Sequence, residues 1–277
     1  MKRVCTTLIC IFFFFNNSMA QKYFGDLFDT TRNSKDIIHE SKIRKEMIFS
    51  CSFDKGELVD SSLTKINYYD SLGDITSSEQ YDPKTQKLRG TNTFVYDSAY
   101  KLIKTYFTFA NSKLISTTYF EYDSNGNEVK INTYNDTTLI LSTIKKYNNK
   151  NQQISLTSIN NFSYTTGTTN FFYNRDGSIK RKESFNDKNK TIVSTDFYKT
   201  KYKEQIYSEN KTGRYLQKEI FYNDKNRPAE IIDYYPNGQL MIHTIQITYY
   251  THGTVFEWAW LNNDKKIQAN RHYYFLN

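Results

Sequence analysis

Polar and apolar side chains alternate along most of this chain. In Thr244-Ile245-Gln246-Ile247-Thr248-Tyr249, the residues Ile245, Ile247 and Tyr249 fall on one side of an extended backbone and the polar groups on the other. That period of two defines a half-buried strand. No stretch carries a convincing helical stripe. The alternating runs are about seven residues long and rich in Tyr, Phe, Ile and Thr, side chains that suit a pleated surface. Polar interruptions separate them, most clearly at Tyr122-Asp123-Ser124-Asn125-Gly126-Asn127-Glu128-Val129. Asp or Asn there bonds its own backbone two residues on, and Gly or Asn further along supplies the positive φ of a β-turn. Asp54-Lys55-Gly56, Asp70-Ser71-Leu72-Gly73, Asn174-Arg175-Asp176-Gly177 and Pro236-Asn237-Gly238 fit the same chemistry.

The aromatic residues that open these turns are Phe53, Tyr69, Tyr81, Tyr96, Phe109, Tyr122, Tyr134, Tyr147, Tyr173, Phe185, Tyr198, Tyr222, Tyr235 and Tyr250. From 96 to 147 they recur every 12 or 13 residues, with weaker turns filling the wider gaps near 160–161 and 208–213. One strand plus one turn per period gives roughly sixteen antiparallel strands. The expected fold is all-β, an antiparallel meander of short hairpin repeats over residues 46–277, forming an extended or curled single sheet. Residues 21–45 lack the repeat and read as an N-terminal cap, where Asn33-Ser34 would start a short helix over Ile37, Ile38 and Ile43. Caps of this kind hide the exposed edge of a repeat array.

The Tyr-Asp-x-x-Gly-x-aliphatic core at 122–129 resembles the YD repeat of Rhs-type secreted proteins. Tyr234-Tyr235-Pro236-Asn237-Gly238-Gln239-Leu240 is similar to the MORN-like repeat of small exported bacterial proteins. The resemblance runs from about residue 53 to the C-terminus and concerns architecture, since such repeats serve many functions. Rhs proteins form large shells that carry a C-terminal toxin, whereas here the repeats run to the last strand at 270–276.

Residues 1–20 read as an export signal: Lys2 and Arg3, an apolar stretch from Val4 to Phe15, then Ser18-Met19-Ala20. The apolar run is too short for a spanning helix, so no membrane span is expected after cleavage. Cleavage removes Cys5 and Cys10, leaving Cys51 without an internal partner, and its alternating context marks it as a small buried hydrophobe. The formal charge of +8 comes from 37 basic and 29 acidic side chains. Most of the cations are lysines dispersed among acids, a pattern that argues against nucleic acid and suits protection of sheet edges.

Little catalytic chemistry is legible. His243, His252 and His272 lie near the C-terminus, yet the meander separates them too widely to share a metal. Most Asp residues occupy turn positions, and Glu121, Glu219 and Glu257 read as solvated strand positions. No nucleophile elbow, phosphate loop, Cys-x-x-Cys pair or His-Glu-x-x-His helix is present, so neither a catalytic residue, a cofactor nor a metal is assigned. A lipid-spanning barrel is disfavoured because a 13-residue period leaves too little strand for the roughly 9 to 11 residues a spanning strand needs, and because Lys145-Lys146 and Arg181-Lys182 charge both faces. Aromatics make up 17% of the chain, with 24 tyrosines. The repeat tyrosines read as structural, while Trp258 and Trp260 break the pattern, share a face and are the candidate binding residues. The expectation is an exported, non-catalytic binding or scaffold protein, periplasmic or at the cell surface, contacting a protein or glycan. The alternatives are a carbohydrate-active enzyme using strand carboxylates and a fragment of an Rhs-like shell.

Overall fold

The structure is a computed structural model that describes residues 34–112, 115–161, 163–186, 191–210, 213–235, 240–250, 254–262 and 265–276. The export signal, residues 21–33 of the cap, the turn at 236–239 and His252 lie outside the described residues. A helix, α1 (Ser34–Glu40), leads into eighteen strands: β1 (Ile43–Asp54), β2 (Glu57–Tyr69), β3 (Ile75–Tyr81), β4 (Leu88–Tyr96), β5 (Leu102–Phe109), β6 (Ile115–Tyr122), β7 (Glu128–Asn135), β8 (Thr138–Tyr147), β9 (Gln153–Asn160), β10 (Thr165–Tyr173), β11 (Ile179–Asn186), β12 (Thr191–Lys199), β13 (Lys203–Asn210), β14 (Gly213–Tyr222), β15 (Pro228–Tyr234), β16 (Leu240–Tyr249), β17 (Val255–Asn262) and β18 (Lys265–Leu276).

The expected all-β meander is present, but the open or curled sheet is not. Every strand pairs antiparallel with its sequence neighbours, and β1 pairs with both β2 and β18, so the sheet closes into an 18-stranded barrel. Closure removes the two strand edges that an open sheet would leave unpaired. A barrel of this strand number is wide enough to enclose water rather than a packed centre. Consistently, the elements that pack closely are ring neighbours, joined by α1 against β1. All of β7 is half-buried, on both of its faces.

The repeating unit is a hairpin of two strands, and its period is therefore twice the spacing of the aromatics. Six of the turns at one end of the barrel share one scheme, while the turn between β12 and β13 is shorter and closed by Thr200 and Lys203. Asp123 shows the scheme: its amide bonds the Asn127 carbonyl at 2.9 Å, and its carboxylate accepts from the amides of Asn125 and Asn127 at 2.9 and 2.8 Å. Gly126 closes the turn at φ 84°. The equivalent left-handed positions hold Gly73, Tyr100, Asn151, Gly177 and Asn226. We call this the Asx end. Turns at the far end are more varied, with a two-residue Lys55-Gly56 turn, positive at both φ angles, that suits a tight hairpin.

Each wall face can be followed around the ring from cross-strand partners. The face carrying Tyr69, Tyr96, Tyr122, Tyr147, Tyr173, Tyr222 and Tyr249 is the tyrosine face, and the other is the reverse face. On the tyrosine face a row of direct partners, Ile220, Ile231, Ile245 and Trp260, crosses four strands. With Ile206, Tyr222, Ile247 and Trp258 it makes the main apolar cluster, where each full burial contributes about 1.5–3 kcal/mol. A smaller cluster on the reverse face joins Cys51, Ala259, Leu261 and Ala269, so Cys51 is a buried thiol among apolar neighbours. Charged side chains stand on both faces, Lys218 and Asp233 on one and Glu257 and Arg271 on the other.

Glu219 and Glu257 correct the solvated reading given to strand glutamates. Glu257 is 2% exposed and ion-paired to Lys266 and Arg271, and Glu219 is buried against Lys203. Burial opposes ionisation of both, but those partners more than offset it and lower their pKa values. Glu121 is exposed, as read, and faces Lys130.

Candidate functional site

Within a hairpin the ladder runs to the Asx end, as at Tyr173↔Ile179. Between hairpins it stops short: at Ser77↔Thr93, Lys104↔Tyr119, Lys130↔Ile144, Ser155↔Asn170 and Glu230↔Gln246. At each of these seams the repeat tyrosine spans the gap. The hydroxyls of Tyr96, Tyr122, Tyr147, Tyr173 and Tyr249 donate to the carbonyls of Ile75, Leu102, Glu128, Gln153 and Pro228 at 2.8, 2.8, 2.9, 2.7 and 2.6 Å. Burial is the largest cause raising the pKa of all five phenols, so they remain donors across the physiological range. The tyrosine of the Tyr-Asp turn is thus a staple between hairpins.

Two copies use a carboxylate instead. Tyr222 donates to Glu204 at 2.7 Å, beside a ladder that runs on to Lys203↔Phe221. Tyr69 donates to Glu46 at 2.7 Å across β1 and β2, next to the seam where β1 closes on β18. Glu46 also accepts from Asn67 Nδ2 at 2.6 Å and lies 2.7 Å from His272 Nδ1 on β18. Its burial opposes ionisation, yet the hydrogen bond and charge of His272, with Asn67 and Tyr69, outweigh it and lower the pKa to about 2. A carboxylate this acidic and this fully engaged is a poor proton acceptor. It functions as the lock of the closing seam.

At the seam between β11 and β12 the repeat tyrosine is absent. Between β11 and β12 the ladder ends at Arg181↔Asp196, and the residue at the repeat position, 26 after Tyr173, is Lys199. Tyr198, read from sequence as the turn opener, points to the reverse face instead, since Phe197 beside it pairs with Ile206 on the tyrosine face. The wall opens there into a cleft of about 440 Å³ lined by Asn174, Lys180, Asp196, Phe197, Tyr198, Lys199, Thr200, Lys203 and Gln205. Residues of both faces line it because no ladder or hydroxyl seals the gap. A second hollow of about 470 Å³ shares Tyr198 and Gln205 and adds Tyr207, Arg214, Tyr215 and Leu216.

The reverse-face rim of this opening is aromatic and charged. Tyr198, 51% exposed, meets Tyr207 edge-on at 5.6 Å between ring centres. The Arg214 guanidinium lies 4.9 Å from the Tyr207 ring centre and 5.7 Å from that of Tyr198, and donates to the Tyr198 hydroxyl at 2.8 Å. Asp196 is held at 3.4 Å by both Arg181 and Arg214. Lys203 pairs with Glu219. Lys180 is exposed and makes no ion pair among the described residues, and the Lys199 ammonium sits 4.7 Å from the Tyr222 ring centre.

Trp258 and Trp260 do share a face, but Trp258 is 8% exposed and packed in the isoleucine cluster, with Trp260 partly buried against it. Any exposed stacking surface on that strand comes from Trp260. The C-terminal register is Thr244↔Leu261 and Glu257↔Arg271. Among the described residues no group of three or more His, Cys, Asp or Glu is arranged to hold a metal. The residues missed from sequence are Lys199, Tyr198 and Arg214; the signal available was a lysine where a 26-residue count places tyrosine.

No family model matches the chain, and no curated protein matches it. Among solved structures, a porin-like protein from Bacteroides uniformis ATCC 8492 is similar over 84% of this chain and 98% of that one, at 11% identity and a TM-score of 0.47. The TcdB2-TccC3-Cdc42 structure is similar over 77% of this chain at 14% identity and a TM-score of 0.35, the match spanning 15% of that chain. TcdB2-TccC3 gives 13% identity and a TM-score of 0.36 over 77% of this chain and 16% of that one.

Proposed function

We propose that this is an exported, non-catalytic β-barrel binding module of the cell envelope, contacting a glycan or protein through the wall opening between β11 and β12. The observation that carries the reading is the exposed Tyr198, continuous with Tyr207 and Arg214, beside an inter-hairpin cleft where lysine replaces the stapling tyrosine. Rigid aromatics with a guanidinium and an acid beside them are the composition of recognition surfaces. The carboxylates at the rim are held by arginines or lysine, which favours binding over proton transfer.

The test is capture of surface glycans and proteins by the mature chain and by Tyr198→Ala/Arg214→Ala. Capture falls in the double variant if the opening is the contact site, and Trp260→Ala leaves it intact. Equal capture by both chains removes the site, and turnover of any polysaccharide overturns the non-catalytic reading.

Ring closure itself favours a second reading, in which the wide lumen passes solutes across a membrane. Charges on both faces oppose it, because a lipid-facing wall needs an apolar band. Conductance across planar bilayers containing the purified chain would decide for it.

A further inference from the structure

We propose that the β11/β12 cleft takes an anionic saccharide, with its carboxylate or sulfate between Lys180 and Lys199 and a sugar ring against Tyr198. This rests on the binding reading above and assigns its ligand class.

Three features of the cleft select that chemistry. First, its lining is cationic: Lys180, Lys199 and Lys203 against the single acid Asp196. Asp196 already faces Arg181 and Arg214, so its charge is compensated within the wall. Glu204, the register partner of Lys199, is engaged by the Tyr222 hydroxyl on the tyrosine face and does not line the cleft. Lys180 and Lys199 are the exposed cations left to meet a ligand, since Lys203 is held by Glu219. Second, Tyr198 presents an exposed ring, suited to the apolar face of a pyranose. Third, Asn174, Thr200 and Gln205 bring amide and hydroxyl groups to the same space, the kind that fix the orientation of hydroxyl-rich ligands. A volume of about 440 Å³ falls in the range of small-ligand sites. Nucleic acid would need a cationic track longer than one gap.

The opening exists because position 199 is not tyrosine. Lys199→Tyr restores the repeat, offers a hydroxyl to the Ile179 carbonyl and closes the cleft. It therefore tests the site by filling it, and the contact it gives up is that of the Lys199 ammonium with the Tyr222 ring.

The experiment is an array of uronate- and sulfate-bearing oligosaccharides beside their neutral counterparts, followed by calorimetric titration of the tightest binder. It uses the mature chain, Lys180→Gln/Lys199→Gln and Lys199→Tyr, each checked for native circular dichroism. The mature chain retains acidic oligosaccharides, and the neutral methyl ester of the same sugar binds about tenfold more weakly or worse. The double Gln variant shows a similar loss for the acid and little for the ester, and Lys199→Tyr binds neither. Equal affinity for acid and ester overturns the anionic class while leaving the binding module intact. Retention of neutral sugars alone does the same. No retention of any saccharide, with protein capture still dependent on Tyr198, overturns the saccharide and keeps the opening as a protein contact. Loss of that capture as well overturns both readings. Unchanged binding by Lys199→Tyr places the ligand elsewhere and overturns the assignment.

Discussion

The seam between β9 and β10 and the seam between β11 and β12 follow one plan, and they differ in the residue at the stapling position and in the turn that follows it, closed by Asn174 and Ser178 at the first and by Thr200 and Lys203 at the second. At the first, the ladder stops at Ser155↔Asn170 and Tyr173 donates across the remaining gap to Gln153. At the second, it stops at Arg181↔Asp196 and Lys199 stands where the tyrosine would be. One seam is sealed and the other is a cleft. The repeat therefore determines where the wall is closed, and its exception marks where it opens.

The largest effect is expected at the closing seam, which tests whether a carboxylate receiver makes a stronger seam than a carbonyl. Glu46→Gln should cost on the order of 3 kcal/mol near neutral pH. The folded-state pKa of Glu46 is depressed to about 2 from an ordinary 4.5. Its contribution is thus fully present above the ordinary value and is lost as pH falls from there through about 2. Urea midpoints followed from pH 7 to 2 should fall steeply over that interval in the natural chain and less in the variant. Matching acid profiles would show that Glu46 does not hold the seam.

Next in size is Tyr173→Phe, which leaves the Gln153 carbonyl without its donor and should cost about 1–2 kcal/mol. Amide exchange at the Asx ends of β9 and β10 should then rise to the rate seen at β11 and β12. If the two seams already exchange alike in the natural chain, the contrast between them fails. Lys199→Tyr runs the comparison backwards. A gain of about 1 kcal/mol in denaturation free energy, with slower exchange around Ile179, is expected from the added bond.

The smallest effect serves as a control. Tyr100 holds a left-handed φ of 57° in a turn where other copies use Gly or Asn, and Tyr100→Gly should stabilise by about 0.5 kcal/mol through relief of that strain. Its thermal midpoint should rise slightly with exchange at both seams unchanged, since the turn and the staple are separate devices. A change at either seam would couple them.

Much of the wall was legible in the sequence because strands and turns are local. Alternation at 244–249 and the Asp123 turn each contain their own reason. The ring was not legible, because Glu46 and His272 are far apart in the chain and nothing near either residue names the other. The period was read at half its true length because far-end aromatics such as Phe109 resemble the stapling tyrosines, although a left-handed fourth residue recurs in six of the Asx-end turns. That error in counting placed Tyr198 in the role of position 199 and hid the lysine. Trp258 was a binding candidate in the sequence because periodicity tells which face a side chain takes and not how its neighbours cover it.

The pairing of β1 with β18 also bears on how the chain reaches this state. Seventeen of the barrel's strand pairings join sequence neighbours and can form while the rest of the chain is unstructured. The eighteenth joins Ile43 to Leu276, a contact whose loop-closure entropy is repaid only when the ring completes. Until then two bare strand edges are available, each complementary to the other edge of a second copy. At high concentration, refolding is accordingly a competition between a unimolecular ring and a head-to-tail polymer, and dilution favours the ring.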